Sequence, residues 1–249
     1  MTKAKLYLLV LSSFILASIT FLSCGDDETD GMTTLDFKFD FKVDNEDLEL
    51  NKVYDLNGSK VSFLVASYYL GGLKMTERDG AVIDLSNDHF LAGQGNLFST
   101  SATVPSTELI QFDFFIGVDP SANAQSETDF TSRMASDPLG MKDPSMHWNW
   151  NSGYKFIRID GQVDIDGDDI PDTSIAYHIG SDPLLKNLSL STTKKLYDGQ
   201  STISFVFDLN EFLASVDFQI VENQDTHTGN NLELAQLLVS NLDSAISVE

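Results

Sequence analysis

Five consecutive residues, Met146-His147-Trp148-Asn149-Trp150, place a thioether, an imidazole and two indoles side by side before the chain runs through Asn151-Ser152-Gly153 into Tyr154. Imidazole and thioether are copper donors, and thioether favours Cu(I) in particular. Hydrolytic chemistry fits poorly. The single cysteine is Cys24, there is no Gly-Xaa-Ser-Xaa-Gly turn, and no carboxylate pair has obvious catalytic spacing. These residues alone leave a plainer alternative open, in which Trp148 and Trp150 are core aromatics and His147 is a hydrogen-bonded polar residue. Three other histidines are present. His178 sits in Tyr177-His178-Ile179-Gly180, His227 precedes the last helical stretch, and His89, in Asp88-His89-Phe90, matches no motif.

A second constellation is harder in character. Asp164-Ile165-Asp166-Gly167-Asp168-Asp169-Ile170-Pro171-Asp172 places carboxylates at alternate positions. A short loop wraps calcium with side-chain oxygens at its first, third, fifth and ninth places and a backbone carbonyl at the seventh. On that register Asp164, Asp166, Asp168 and Asp172 are ligands, and Ile170 gives its carbonyl. The segment resembles the calcium repeats of thrombospondin type 3 modules. It departs from a full EF-hand at the twelfth place, which is Ile175 rather than Glu. The alternative is an acidic hairpin turn that binds nothing tightly.

The elements that position these groups read as mainly β. From Leu35 the chain alternates, with Leu35, Phe37, Phe39, Phe41 and Val43 on one face and Asp36, Lys38, Asp40 and Lys42 on the other, a strand with one wet side. Further β-branched and aromatic runs lie at 61–70, 81–85, 109–118, 154–163, 174–179, 203–209 and 216–221, separated by Asn-Gly, Asp-Gly and Gly-Gly turn signals. The expectation is an antiparallel β-sandwich or barrel-like domain with long loops. One stretch has helical spacing: Leu234, Ala235, Leu238, Val239, Leu242 and Ile246 form a stripe, and Asn230 and Asn231 are available as caps. This predicts a closing C-terminal helix. The polar, Met-rich insert 121–153 is the long loop on which a site would sit.

Charge and the amino terminus bound the function. With 15 Lys and Arg against 38 Asp and Glu, the net charge of the 249-residue chain is −23, which makes nucleic acid an improbable partner and cations natural ones. Residues 1–23 read as a signal peptide: Lys3 and Lys5 lead an uncharged run from Leu6 to Leu22. Phe21-Leu22-Ser23-Cys24 matches a lipobox, in which Cys24 is acylated; the other reading is a transmembrane anchor with Cys24 incidental. Residues 24–33, rich in Asp and Glu, form a tether, and 34–249 a single β-domain. The expected location is the outer membrane, the domain facing the periplasm or the cell surface.

A resemblance sharpens the copper reading. Phe112-Asp113-Phe114-Phe115-Ile116-Gly117-Val118-Asp119, Asn123, Met146 to Tyr154, Asp160-Gly161 and Tyr177-His178-Ile179-Gly180 occur in that order, and together they resemble the MbnP-like family of methanobactin-associated copper-binding proteins. Trp148-Asn149-Trp150-Asn151-Ser152-Gly153-Tyr154 carries most of the specificity. The resemblance implies a β-rich domain that binds copper through histidine, with His147 and His178 as ligands, His227 as a further ligand and Met146 as a weak axial ligand or packing. It also implies that Trp148 or Trp150 is a site of oxidation to kynurenine by a partner dihaem peroxidase of the MauG type. If the strands flanking the acidic loop form a hairpin, His178 faces a residue between about Phe156 and Ile159, roughly 7–17 Å from Tyr154 along the strand. It also points away from Ile175, Tyr177 and Ile179. His147 then reaches His178 only if the Trp-Asn-Trp segment folds back along the sheet. The expected function is non-enzymatic: a lipid-anchored extracytoplasmic copper-binding protein for acquisition or buffering, with a structural calcium loop. The alternative is a calcium-stabilised surface module that binds carbohydrate or protein through Trp148 and Trp150.

Overall fold

The alternation that starts at Leu35 builds strand β1 (Met32–Val43), whose Leu35, Phe37, Phe39, Phe41 and Val43 are buried while the residues between them reach solvent. The computed structural model describes residues 31–93, 101–149 and 152–249. The expected signal peptide, Cys24, most of the expected tether and Trp150 lie outside them. Four strands follow β1: β2 (Glu46–Asp47), β3 (Val53–Leu56), the long β4 (Ser59–Glu77) and β5 (Val82–Gly93). Next come β6 (Ser101–Pro105) and β7 (Glu108–Ile116), then two short helices, α1 (Pro120–Asn123) and α2 (Glu127–Ser132). The middle of the chain gives β8 (His147–Asn149), β9 (Gly153–Val163), β10 (Thr173–Gly180), β11 (Lys186–Lys195) and β12 (Gly199–Asp208). The chain closes with α3 (Leu209–Phe212), β13 (Asp225–Thr226), α4 (Leu232–Ala245) and β14 (Ile246–Val248).

Among the described residues these strands form two sheets. One runs β14-β12-β1-β2, with β6 also on β1. The other runs β11-β7-β4-β9-β10-β13, with β3 and β5 also on β4 and β8 on β9. The fold is mainly β and sandwich-like, as expected. Most pairs are antiparallel, but β1 with β12 and β10 with β13 are parallel, pairings between distant segments that no local turn signal announces. On the inner face of the smaller sheet Phe39 stacks on Phe205 at 5.5 Å, and between the sheets Tyr68 meets Phe207 at 5.1 Å. Such aromatic contacts add about 0.5–1.5 kcal/mol each beyond the area they bury.

The expected strand at 216–221 is absent. Val216 and Phe218 are buried, but the backbone turns instead: Asp217 accepts from the Gln219 amide at 3.0 Å and its carbonyl from Asn223 at 3.1 Å. An aspartate in the run offers the chain this local alternative to a ladder. Conversely β11, whose exposed face is Ser-, Thr- and Lys-rich, forms because it pairs along β7. The C-terminal helix is α4, with Leu234, Ala235, Leu238 and Leu242 buried and Asn231, not Asn230, as N-cap, accepting from the Leu234 amide at 3.1 Å. Ile246 has left the helix for β14.

The insert covers the outer face of the larger sheet. Tyr69, Leu91, Val118, Leu139, Met146, Tyr154 and Phe156 form a second core there, separate from the one between the sheets. Two phenols pin the loop, Tyr154 donating to the Leu139 carbonyl at 2.6 Å and Tyr69 to the Pro138 carbonyl at 3.1 Å. Among the described residues no helix is long and apolar enough to cross a membrane.

Candidate metal centre

The acidic loop does join β9 and β10 as a hairpin, and its register sets His178 opposite Arg158, inside the expected interval. Ile175, Tyr177 and Ile179 face the main core, so His178 stands on the outer face with Arg158 and Asp160. Its side chain is 11 % exposed. Its Nε2 lies 2.6 Å from Asp160 Oδ1, while its Nδ1 is buried without a hydrogen-bond partner.

Asp160 decides the tautomer. Burial alone would raise its carboxyl, but bonds from His178 and from Arg158 Nε, at 2.7 Å, hold it below the ordinary carboxylate range. An ionised carboxylate only accepts, so His178 carries its proton on Nε2 and presents a lone pair at Nδ1. A carboxylate on the far nitrogen of an imidazole is the usual outer support of a metal-binding histidine.

The parallel pairing of β10 with β13 brings the second imidazole. Tyr177 registers with Thr226, and the next residue, His227, places its ring 4.6 Å from that of His178 at 84°. The turn is locked from both sides. His227 N donates to Asn230 Oδ1 at 2.6 Å, and Thr228 accepts from the Gly180 amide at 3.0 Å. Asp225 Oδ2 lies 3.3 Å from His227 Nδ1, which leaves Nε2 as the nitrogen to offer a ligand. An orphaned buried imidazole nitrogen beside a second imidazole fits copper, for which imidazole is a good donor.

The other expected ligands are elsewhere. The Trp-Asn-Trp segment does fold back, as β8, but His147 pairs with Tyr154, about four residues, or roughly 10–13 Å, along β9 from Arg158. Its ring stacks on Phe130 at 4.0 Å and meets Tyr154 edge-on at 4.8 Å. Burial, with the Lys155 charge beside it, lowers its pKa. Met146 is 3 % exposed and packs in the second core. What reaches the strand of His178 is Trp148: a Cβ added at Gly180 would stand 2.5 Å from its six-membered ring, so only glycine lets the indole lie there. Trp150 is outside the described residues. His89 pairs with Gly71 across the β4–β5 ladder. Its Nε2 is 3.2 Å from Asp119 Oδ2, yet the angle makes no hydrogen bond, and burial lowers its pKa.

In the acidic loop, Asp164, Asp166 and Asp168 bring carboxylate oxygens within 4.8 Å of one another, and among the described residues no other group of three such ligands does. Asp164 accepts from the amides of Asp166, Gly167 and Asp169 at 3.1, 2.8 and 2.8 Å. Asp172 is not in that trio, and the Ile170 amide donates to Asp168 Oδ1 at 2.9 Å.

Sequence reasoning assigned no role to Asp160 or Asp225. The sequence placed His178 opposite a residue between about Phe156 and Ile159; the observed pairing with Arg158 puts Asp160 two residues on, on the same face. Nothing local marked Asp225.

The family model MbnP matches residues 32–231. A solved structure, MbnP from Methylosinus trichosporium, is similar with a TM-score of 0.49 and 15 % identity, covering 76 % of this chain and 80 % of that one. Curated proteins give no match. With four-fifths of its length, from β1 through the turn that carries His227, matched by one family model, the chain belongs to the MbnP family.

Proposed function

We propose that this is a lipid-anchored, non-enzymatic copper-binding protein that works outside the cytoplasm in copper acquisition or buffering. The observation that carries the reading is the buried, unpartnered Nδ1 of His178, its ring fixed by Asp160 and His227 4.6 Å away, in a chain of a family associated with methanobactin and copper. His178 Nδ1 and His227 Nε2 are the donors, and two imidazoles suit the low coordination number of Cu(I). Bound there, copper would sit near Trp148, whose ring lies against Gly180 two residues from His178, so Trp148 would be within reach of a MauG-type dihaem partner's oxidation.

Metal analysis of the purified domain tests this, with mass measurement of the peptide containing Trp148. Wild type is expected to take up copper and His178→Ala to lose it; uptake unaffected by that substitution overturns the assignment. Approach of His178 and His227, and packing of the half-buried Trp148 against Gly180, favour this reading over a carbohydrate- or protein-binding module. The Asp164, Asp166 and Asp168 trio supports a structural calcium ion at the hairpin turn, of the weak extracellular kind with a Kd of about 10⁻⁴–10⁻³ M. A melting temperature that does not move with calcium would remove it.

A further inference from the structure

We propose that a groove on the outer face of the larger sheet, floored by the ring of Phe115, binds a neutral sugar ring. This is additional to the proposed copper function and independent of it: the groove shares no residue with the His178–His227 pair, and Trp148 takes no part.

The groove has a volume of about 500 Å³ and is lined by Gly72, Lys74, Asp113, Phe115, Asn187 and Ser189, among others, within the size range of small-molecule sites. Its floor follows from the alternation in β7. Phe112, Phe114 and Ile116 belong to the core between the sheets, which puts Asp113 and Phe115 on the opposite face, where both are half-buried. Phe115 pairs with Gly71 of β4. Just after Gly71 that strand shifts register against both β5 and β7, at Gly72, whose φ is +68°. A Cβ at Gly71 would stand 2.6 Å from the Phe115 ring, and one at Gly72 would overlap it as well. The two glycines therefore let the ring lie over bare backbone. Bulges of this kind re-aim side chains and recur beside binding sites.

The rim is polar and lies about a sugar's width away. Asp113 is two residues along β7 from Phe115, roughly 7 Å, and faces Lys74 on one side and Ser189 on the other, while Asn187 faces Phe115. Gln111 Nε2 donates to both Asp113 oxygens, at 2.9 and 2.8 Å, which fixes the carboxylate and leaves each oxygen a further lone pair. A pyranose offers the matching chemistry: an apolar C–H face to lie on the ring, and hydroxyls that both donate and accept. Charge selects a neutral one. Among the described residues lining the groove the charged ones are Lys74 and Asp113, which offset each other. The chain's net charge of −23 opposes the phosphates that would accompany a stacked nucleobase.

The test is NMR of the isotope-labelled purified domain titrated with glucose, galactose, N-acetylglucosamine and cellobiose. At least one sugar is expected to saturate at about millimolar concentration, shifting the Gly72 amide and the Phe115 ring. Phe115→Leu should weaken that binding about tenfold, and Asn187→Ala/Ser189→Ala about threefold. Galacturonate should bind more weakly than galactose, and His178→Ala should bind sugar as wild type does. No saturable shift with any of these sugars overturns the inference and leaves the copper reading standing. Binding indifferent to both groove variants overturns it too, as does adenosine binding as tightly as the best sugar. Asn187 and Ser189 are exposed on the end strand β11, so their substitution keeps the proposal testable even if Phe115→Leu fails to fold.

Discussion

Replacing Asp160 by Asn tests the wiring of the centre without touching a proposed ligand. Its Oδ1 takes the Nε2 proton of His178 at 2.6 Å and its Oδ2 the Nε proton of Arg158 at 2.7 Å. An amide has the same shape but one acceptor. Turned one way, its NH₂ confronts the Arg158 donor; turned the other, it confronts His178 and drives the imidazole proton onto Nδ1, the nitrogen offered to copper. Hydrogen bonds to charged groups contribute about 1.5–3 kcal/mol each, so loss of one should destabilise the metal-free domain by about 2 kcal/mol in urea unfolding. Outer-shell partners of metal ligands are worth 10- to 100-fold in affinity, so copper binding should weaken by about 1.4–2.8 kcal/mol in a competition titration. The pH dependence has a definite sign. The native carboxyl titrates below its unfolded value, so the unfolded chain takes up the proton first. The stability Asp160 adds is complete above about pH 4 and is lost as pH falls through the native value. A folded Asp160→Asn protein that binds copper as tightly as wild type would refute the tautomer argument.

Three further outcomes follow from the same geometry. Burial lowers the pKa of both His89 and His147; their native values lie below the unfolded one, so stability should fall as pH drops below about 6.5, and His147→Gln should flatten part of that slope. Gly180→Ala should cost about 1–3 kcal/mol by overpacking, because the new methyl meets the Trp148 ring and the Tyr154 carbonyl; tryptophan emission reports the displaced indole, and unchanged emission and stability would refute the contact. Asn231→Ala removes the cap that holds the Leu234 amide and should cost about 1 kcal/mol, with faster amide exchange confined to the first turn of α4.

What could be read in advance follows the reach of each interaction. The alternation from Leu35 to Val43 and the stripe from Leu234 to Leu242 were legible because burial of one face imposes its period on neighbouring residues. The Val216–Val221 run carried the same apolar signal and failed, since Asp217 gave the backbone a local turn. The Asp-rich hairpin was legible, and with it the face and register of His178, because a short loop between two strands fixes their pairing.

By itself the sequence determined a mainly β domain closed by a helix and an acidic loop between two strands, and it supplied the residues by which the family is known. It did not determine which histidines meet. His178 and His227 are 49 positions apart in the chain and come together through a parallel pairing of β10 with the two-residue β13, whereas His147, beside the motif that marks the family, is held by Phe130 and Tyr154 at another point on the same face. Periodicity records which side of a strand is buried, but proximity between distant strands is set by sheet order, and that depends on the cooperative packing of the whole core.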